Sequence, residues 1–139
     1  RNVLVLHDGK NPFILIARVR VKEGMIEEYL KISDTVDEAV RKTEPGMLFH
    51  NFDSDPHDQL EFTWTEVYVD SDSLLFHIQN PPVQEYVEQH SKLSERFEIE
   101  IYGNVSDAVI ESIQELGIPL KHFKTTNVGY VRNSHFKLS

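Results

Sequence analysis

His77 is the residue of this chain best placed to move a proton. It closes the short apolar turn Leu74-Leu75-Phe76-His77-Ile78 and stands just ahead of the break Asn80-Pro81-Pro82. An imidazole titrates near neutrality, so it can take a phenolic proton or hold a substrate hydroxyl. The competing expectation is a partly buried helix histidine bonded to a backbone carbonyl freed by Pro81. Around it the chain supplies flat apolar surface: Trp64, Phe49, Phe52, Tyr68 and Tyr86 are of the kind that wall an aromatic-binding pocket. Core packing is the other fate of strand aromatics. Asn80 presents an amide to a ligand or serves as a helix C-cap. The expected catalytic residue is therefore His77, and the expected substrate-binding set is Trp64, Phe49, Tyr68, Asn80 and Tyr86.

Other chemistries find little support. The remaining histidines, His7, His50, His57, His90, His122 and His135, form no pair with ligand spacing on one helix, so no metal is expected. There is no cysteine, which excludes disulfides and thiolate chemistry. No glycine-rich phosphate loop and no nucleophile elbow occurs, and no protein-bound redox cofactor is implied. Asn104-Val105-Ser106 matches a glycosylation sequon, but Ser106 reads better as a helix cap. The formal net charge is -9, which disfavours nucleic acid and anionic membrane as partners. No apolar run reaches the length of a membrane span, and no leader is visible after Arg1, so the cytoplasm is the expected location.

The elements that must hold these residues follow from hydrophobic period. With 139 residues the chain has the length of one domain, expected over 13–139 behind an arm of residues 1–12. Val3-Leu4-Val5-Leu6 in that arm reads as a short extra strand or as a segment lying on a partner. Phe13 to Val21 reads as a strand whose first half is apolar on both faces, with Arg18 and Arg20 following Ile14 and Ile16. A helix over about 25–42 carries Ile26, Tyr29, Leu30, Ser33, Val36, Ala39 and Val40 in one stripe. Glu44-Pro45-Gly46 stops it. Strands over 47–53 and 60–69 make an antiparallel hairpin. Asp70 to Ser73 cap a second helix, which Asn80-Pro81-Pro82 interrupts and which restarts at Val83. A fourth strand covers 97–102. A further helix from Ser106 ends at Gly117 and Pro119, and the tail holds room for one short strand.

The core order β-α-β-β-α-β over 13–105, with a C-terminal extension over 106–139, predicts an α+β fold of the ferredoxin-like type. Its antiparallel sheet carries helices on one face. A second copy is the simplest cover for the other, which points to a homodimer. Arg18 and Arg20 are expected to pair with Glu66 or Glu61 across that dimer, and Glu98 and Glu100 can supply the same pairing.

The chain resembles the antibiotic biosynthesis monooxygenase family of dimeric α+β barrel proteins. The resemblance rests on Ala17-Arg18-Val19-Arg20-Val21-Lys22-Glu23-Gly24, on Glu44-Pro45-Gly46, on Glu66-Val67-Tyr68-Val69-Asp70, and on the helix opening from Ser71 to His77. It covers roughly residues 13–102. Family members often carry Glu-x-Trp at the end of the third strand and a histidine about nine residues on; Tyr68 stands at the Trp position and His77 at the histidine. The second histidine common in the family is missing, its region being Asn80-Pro81-Pro82-Val83. A haem-degrading branch of the superfamily uses an Asn, a Trp and a His where this chain has Ala17, His77 and Val87, so haem chemistry is not expected. The resemblance implies a homodimer with a pocket between sheet and helices in each subunit. It also implies cofactor-independent oxidation of an aromatic or quinol-type small molecule. The alternatives from other classes are a non-catalytic small-ligand-binding or structural dimeric barrel, and a stress-responsive barrel of unknown ligand. A cavity reaching His77 separates them, because a purely structural dimer should fill that space with Trp64, Phe49 and Tyr86.

Overall fold

Residues 11–136 are described by the computed structural model. The strands are β1 (Phe13–Val21), β2 (Met47–Asp55), β3 (Asp58–Tyr68), β4 (Ser94–Tyr102) and β5 (Leu120–Phe123). The helices are α1 (Ile26–Thr43), α2 (Ser71–Gln79), α3 (Pro81–Leu93) and α4 (Asp107–Glu115). They form one sheet in the order β2-β3-β1-β4-β5, antiparallel except for the parallel β4–β5 pair. This is the expected α+β, ferredoxin-like order with one strand added from the tail. The expected extra strand or arm at Val3–Leu6 lies outside the described residues.

The central strand β1 sets the parity of the sheet. Phe13, Leu15, Ala17, Val19 and Val21 point towards the helices and are buried, while Ile14 is 42% exposed. Within one chain only one face is covered; the apolar start of the other face is left open. Partner residues inherit the same parity. Leu15 pairs with Glu66, Ala17 with Trp64 and Phe13 with Tyr68, so these three β3 side chains share the helix-covered face. Arg18 and Arg20 lie opposite. They pair within the chain: Arg18 Nε donates to Glu100 at 2.9 Å, and Arg20 Nη1 donates to Asp58 at 3.0 Å and Glu61 at 3.2 Å. The expected pairing with Glu66 is ruled out by the register, because Glu66 is on the other side of the sheet.

The helices pack where their apolar stripes demand. α1 buries Tyr29, Ser33, Val36 and Val40. Asp70 caps α2, its carboxylate accepting from the Ser73 backbone N–H at 2.8 Å and the Ser73 hydroxyl at 2.7 Å. The interruption before α3 is shorter than expected. Pro81 and Pro82 occupy the first turn of α3, where a missing N–H costs nothing, and the break is confined to Asn80. β4 begins directly after α3 at Ser94, earlier than the alternation at 97–102 indicates. Ser106 precedes α4, but its hydroxyl makes no cap bond and is buried without a partner; its backbone N–H donates to Ser71 Oγ at 3.0 Å.

Gly46 joins the end of α1 to β2 and lies against the first turn of α2. A Cβ at this position would meet the Ser73 hydroxyl, with Ser73 Cβ only 2.7 Å away. Because Ser73 also carries the α2 cap, Gly46→Ala should lower the unfolding free energy by about 1–3 kcal/mol, as overpacking of this kind does. Urea denaturation measures it, and an unchanged midpoint would show that α2 can move aside freely.

Candidate functional site

The helix-covered face of the sheet does not pack solid. Between it and α2, α3 and α4 lies a cavity of about 290 Å³, at the small end of the range for ligand sites. Its walls are mostly apolar, with Leu15, Ala17, Ile99 and Ile113 among them. Four ionisable side chains line it, His77 from α2, His50 from β2, Glu66 from β3 and Tyr86 from α3, together with the amides Gln79 and Gln84.

His77 is in the last turn of α2. Its Nδ1 donates to the two carboxylate oxygens of Glu44 at 2.9 and 3.0 Å. Glu44 is the residue at which α1 stops, and the turn through Pro45 and Gly46 leaves its carboxylate inside, with the side chain 3% exposed. Asn80 Nδ2 closes the cluster, donating to Glu44 at 2.9 Å and to Thr43 Oγ1 at 3.0 Å. Donation from Nδ1 fixes the ring, and among the described residues no protein group bonds Nε2. The carbonyl partner considered from the sequence is thus replaced by a carboxylate. Burial alone would lower the pKa of His77. The Glu44 hydrogen bond and the negative charges of Glu66 and Glu44 outweigh it, and the pKa lies above the usual histidine value.

A second chain of contacts approaches from the other side. Asp37 on α1 accepts from His50 Nδ1 at 2.9 Å, and His50 Nε2 lies 3.7 Å from Glu66 Oε2. The Tyr68 hydroxyl donates to Glu66 Oε1. Burial and the neighbouring carboxylates raise the Tyr68 pKa well above its ordinary value, so this hydroxyl remains a donor. The His50 ring stacks on Trp64, with centroids 4.3 Å apart and 13° between planes.

The remaining polar ends hold the walls in place. Trp64 Nε1 donates to the Tyr86 hydroxyl at 2.9 Å, and that hydroxyl shares a short hydrogen bond with Tyr29. His90 stacks on Tyr86, and burial pushes its pKa down to about 4, so it is neutral at physiological pH.

Of the residues expected from the sequence, His77, Trp64 and Tyr86 meet at the cavity. Tyr68 stands behind it, edge-on to His77 with ring centroids 5.8 Å apart. Asn80 acts on Glu44 and does not line the cavity. Phe49 is on the opposite face of the sheet, 45% exposed. The cause is a bulge between Met47 and Phe49: Met47 pairs with Tyr68, yet Phe49 pairs with Val67, so the extra residue reverses the parity of the strand. The same bulge turns His50 inward. Glu44 was legible only as a helix stop. Glu66 shares its parity with Trp64 and Tyr68, a signal that strand three carried all along.

The pair His77–Glu44 makes a direct prediction. In an NMR titration His77 should titrate above 6.5 and His90 near 4. Glu44→Gln should move His77 downwards. A histidine whose folded pKa is raised adds stability that is complete below its unfolded value and is lost as pH rises through the folded one. Above pH 6.5, where His90 is neutral folded or unfolded, the urea midpoint of the wild type should therefore fall as pH rises through the folded His77 value, and the Glu44→Gln slope there should be shallower. Equal slopes would detach His77 from Glu44.

Comparison with known proteins agrees with this architecture. The uncharacterized protein sll1783 of Synechocystis sp. is 31% identical over 93 residues, covering 66% of this chain and 63% of the relative, so the match leaves over a third of that protein unaccounted for. MupZ from Pseudomonas fluorescens superposes with a TM-score of 0.69 at 16% identity, over 88% of this chain and 96% of its own. A conserved protein from Methanosarcina mazei gives 0.63 at 20% identity, over 70% and 95%. PA3566 from Pseudomonas aeruginosa gives 0.61 at 22% identity, over 66% and 91%. At such identities these structures share the fold. The profile of the family described as antibiotic biosynthesis monooxygenase matches residues 12–89, which is more than half of the sequence and includes Glu44, His50, Trp64, Glu66 and His77. The chain belongs to the antibiotic biosynthesis monooxygenase family.

Proposed function

We propose that this protein is a monooxygenase that needs no bound cofactor and acts on a small aromatic or quinol-type molecule, with His77 as the base. The observation that carries the reading is the Glu44–His77 pair opening onto an apolar cavity with an aromatic wall. A flat ring can stack there, and its hydroxyl can reach an imidazole whose Nε2 has no protein partner among the described residues. His77 Nε2 would take the phenolic proton, and the Glu44 carboxylate would stabilise the imidazolium that results. The anion is electron-rich enough to react with molecular oxygen directly. Its ring carbon forms the C–O bond, dioxygen is reduced to the peroxide level, and His77 returns its proton to the distal oxygen. The cavity is left unfilled by Trp64 and Tyr86, which favours a ligand-handling role over a purely structural barrel.

The reading includes a homodimer closed through the open face of the sheet. Ile14, Phe49 and Phe123 are all more than two-fifths exposed there, at one end of a face whose other end carries the Arg18 and Arg20 ion pairs. Such a surface suits a self-complementary contact in which apolar residues meet and charges ring them.

Oxygen-electrode assays with a panel of phenols and hydroquinones test the activity. The wild type should consume oxygen, and His77→Ala should lose about 10²–10⁴-fold of the rate. Because the base must be neutral, kcat/KM should rise with pH through an apparent pKa above 6.5. Glu44→Gln should shift that limb to lower pH. No oxygen uptake by the wild type on any member of the panel would overturn the catalytic reading and leave ligand binding as the role of the cavity. Independently, sedimentation velocity should find a dimer in the wild type and in His77→Ala, and a monomer in Ile14→Glu combined with Phe49→Glu. A wild-type monomer at micromolar concentration would refute the dimer.

A further inference from the structure

Among the ionisable cavity groups that have no part in the scheme above, Glu66 is the only carboxylate. Glu66 lines the cavity on the side of β3, and its contacts are organised around it. Tyr68 holds Oε1 by a hydrogen bond, and Oε2 faces His50 Nε2 at 3.7 Å. His50 is in turn fixed at Nδ1 by Asp37 at 2.9 Å and against Trp64 by stacking at 4.3 Å. Asp37 also accepts from Arg41 Nη2 at 2.9 Å. The groups facing this unit are thus Asp37 and Arg41 from α1, Tyr68 from β3, His77 from α2 with its ring centroid 6.3 Å from that of His50, and Tyr86 from α3. Asp37 would be raised by burial, but the hydrogen bonds from His50 and Arg41 hold it below the usual carboxylate range, so it faces His50 as an anion. The Glu66 side chain is 7% and the His50 side chain 10% exposed, and a carboxylate held that far from water is costly unless it is well paired; His50 Nε2, at 3.7 Å, is beyond hydrogen-bond reach and leaves Oε2 open to a ligand.

We propose that Glu66 is a second catalytic residue, which carries out the dehydration of the peroxide, and that His50 and Asp37 position it. The inference rests on the proposed oxygenation. After His77 has returned its proton, the reacting carbon bears one hydrogen and one hydroperoxyl group. The Glu66 carboxylate takes the C–H proton. The C–H electron pair becomes the second bond of the new carbonyl, the O–O bond breaks, and hydroxide leaves. The carboxyl proton on Glu66 then passes to that hydroxide and gives water. For hydroquinone the sum is hydroquinone plus dioxygen to hydroxybenzoquinone plus water. Two residues divide the work: His77 moves the phenolic proton out and back, and Glu66 moves the carbon-bound proton to the departing oxygen. Without Glu66 the peroxide adduct has another exit. Loss of the second phenolic proton expels hydroperoxide, giving unhydroxylated benzoquinone and hydrogen peroxide.

The product ratio therefore reports on Glu66 independently of overall rate. With hydroquinone and dioxygen, the wild type should form hydroxybenzoquinone with little hydrogen peroxide. Glu66→Gln, an isosteric change, should lose about 10²-fold or more in hydroxybenzoquinone formation, and hydrogen peroxide should become the main oxygen product. His50→Gln and Asp37→Asn keep the carboxylate but release it from its position. They should give an intermediate split, with the fraction of peroxide changing with pH as it does not in the wild type. Thermal melts confirm that each variant is folded, and the split is read on whatever turnover remains. If Glu66→Gln forms hydroxybenzoquinone and peroxide in the wild-type ratio, Glu66 has no such role, while the oxygenation by His77 stands. If Glu66→Gln does not fold, a wild-type ratio in both His50→Gln and Asp37→Asn overturns the proposal by itself. If the wild type consumes no oxygen, the oxygenation fails first and this step falls with it.

Discussion

The interaction on which the rest of the structure depends is the buried hydrogen-bonded pair of Glu44 and His77. A carboxylate this far from water must be fully paired, or it destabilises the fold by several kcal/mol. Here its partners come from three places: His77 in the last turn of α2, Asn80 at the break between α2 and α3, and through Asn80 the hydroxyl of Thr43 on α1. The cluster ties the end of α1 to the end of α2 and fixes where the second helix of the fold gives way to the third. Removing one partner strands the others, at a cost of about 3–5 kcal/mol for a buried pair. The same bonds that hold the helices also fix the ring of His77 at the cavity wall, with Nδ1 committed to Glu44.

The sheet separates two tasks by its pleat. Side chains on the helix-covered face build the cavity: Trp64 and Glu66 from β3, Leu15 and Ala17 from β1, His50 from β2. Side chains on the other face divide along the strand direction into an apolar end, with Ile14 and Phe49, and an ionic end, with Arg18, Arg20, Glu61 and Glu100. The ion pairs there are exposed, and each is worth little to stability. They leave that end of the face polar, in contrast to the apolar end. Trp64 is the hinge of the cavity side, since it stacks on His50, abuts Phe52 and donates to Tyr86. Its polar edge and its flat face are both committed, which makes it a rigid wall.

How much of this could be read from residues alone depends on the element. The α1 stripe at steps of three and four, the Asp70 cap and the hairpin of β2 and β3 follow local rules, and all lie within a few residues of where those rules put them. Room for one short strand in the tail was legible, but its place at Leu120–Phe123 and its parallel pairing with β4 were not. Glu44 shows the limit well. Its place before Pro45 and Gly46 marks a helix end, and nothing local says that the carboxylate turns inwards to a histidine 33 residues away. Phe49 and His50 show a sharper limit. Period two is reliable only while the ladder is regular, and one bulged residue exchanges the faces of everything beyond it.

By itself the sequence determined the order of the elements, the family, and the position of His77 at the end of the second helix. These follow from periodicity, caps, breaks and short motifs, which act over a few residues and are written into the chain. Only the tertiary structure decided which carboxylate holds His77 and that His50 replaces Phe49 at the cavity wall. Those outcomes depend on strand register and on the packing of helices against one sheet face. Both are fixed by long-range burial, and no local pattern records them.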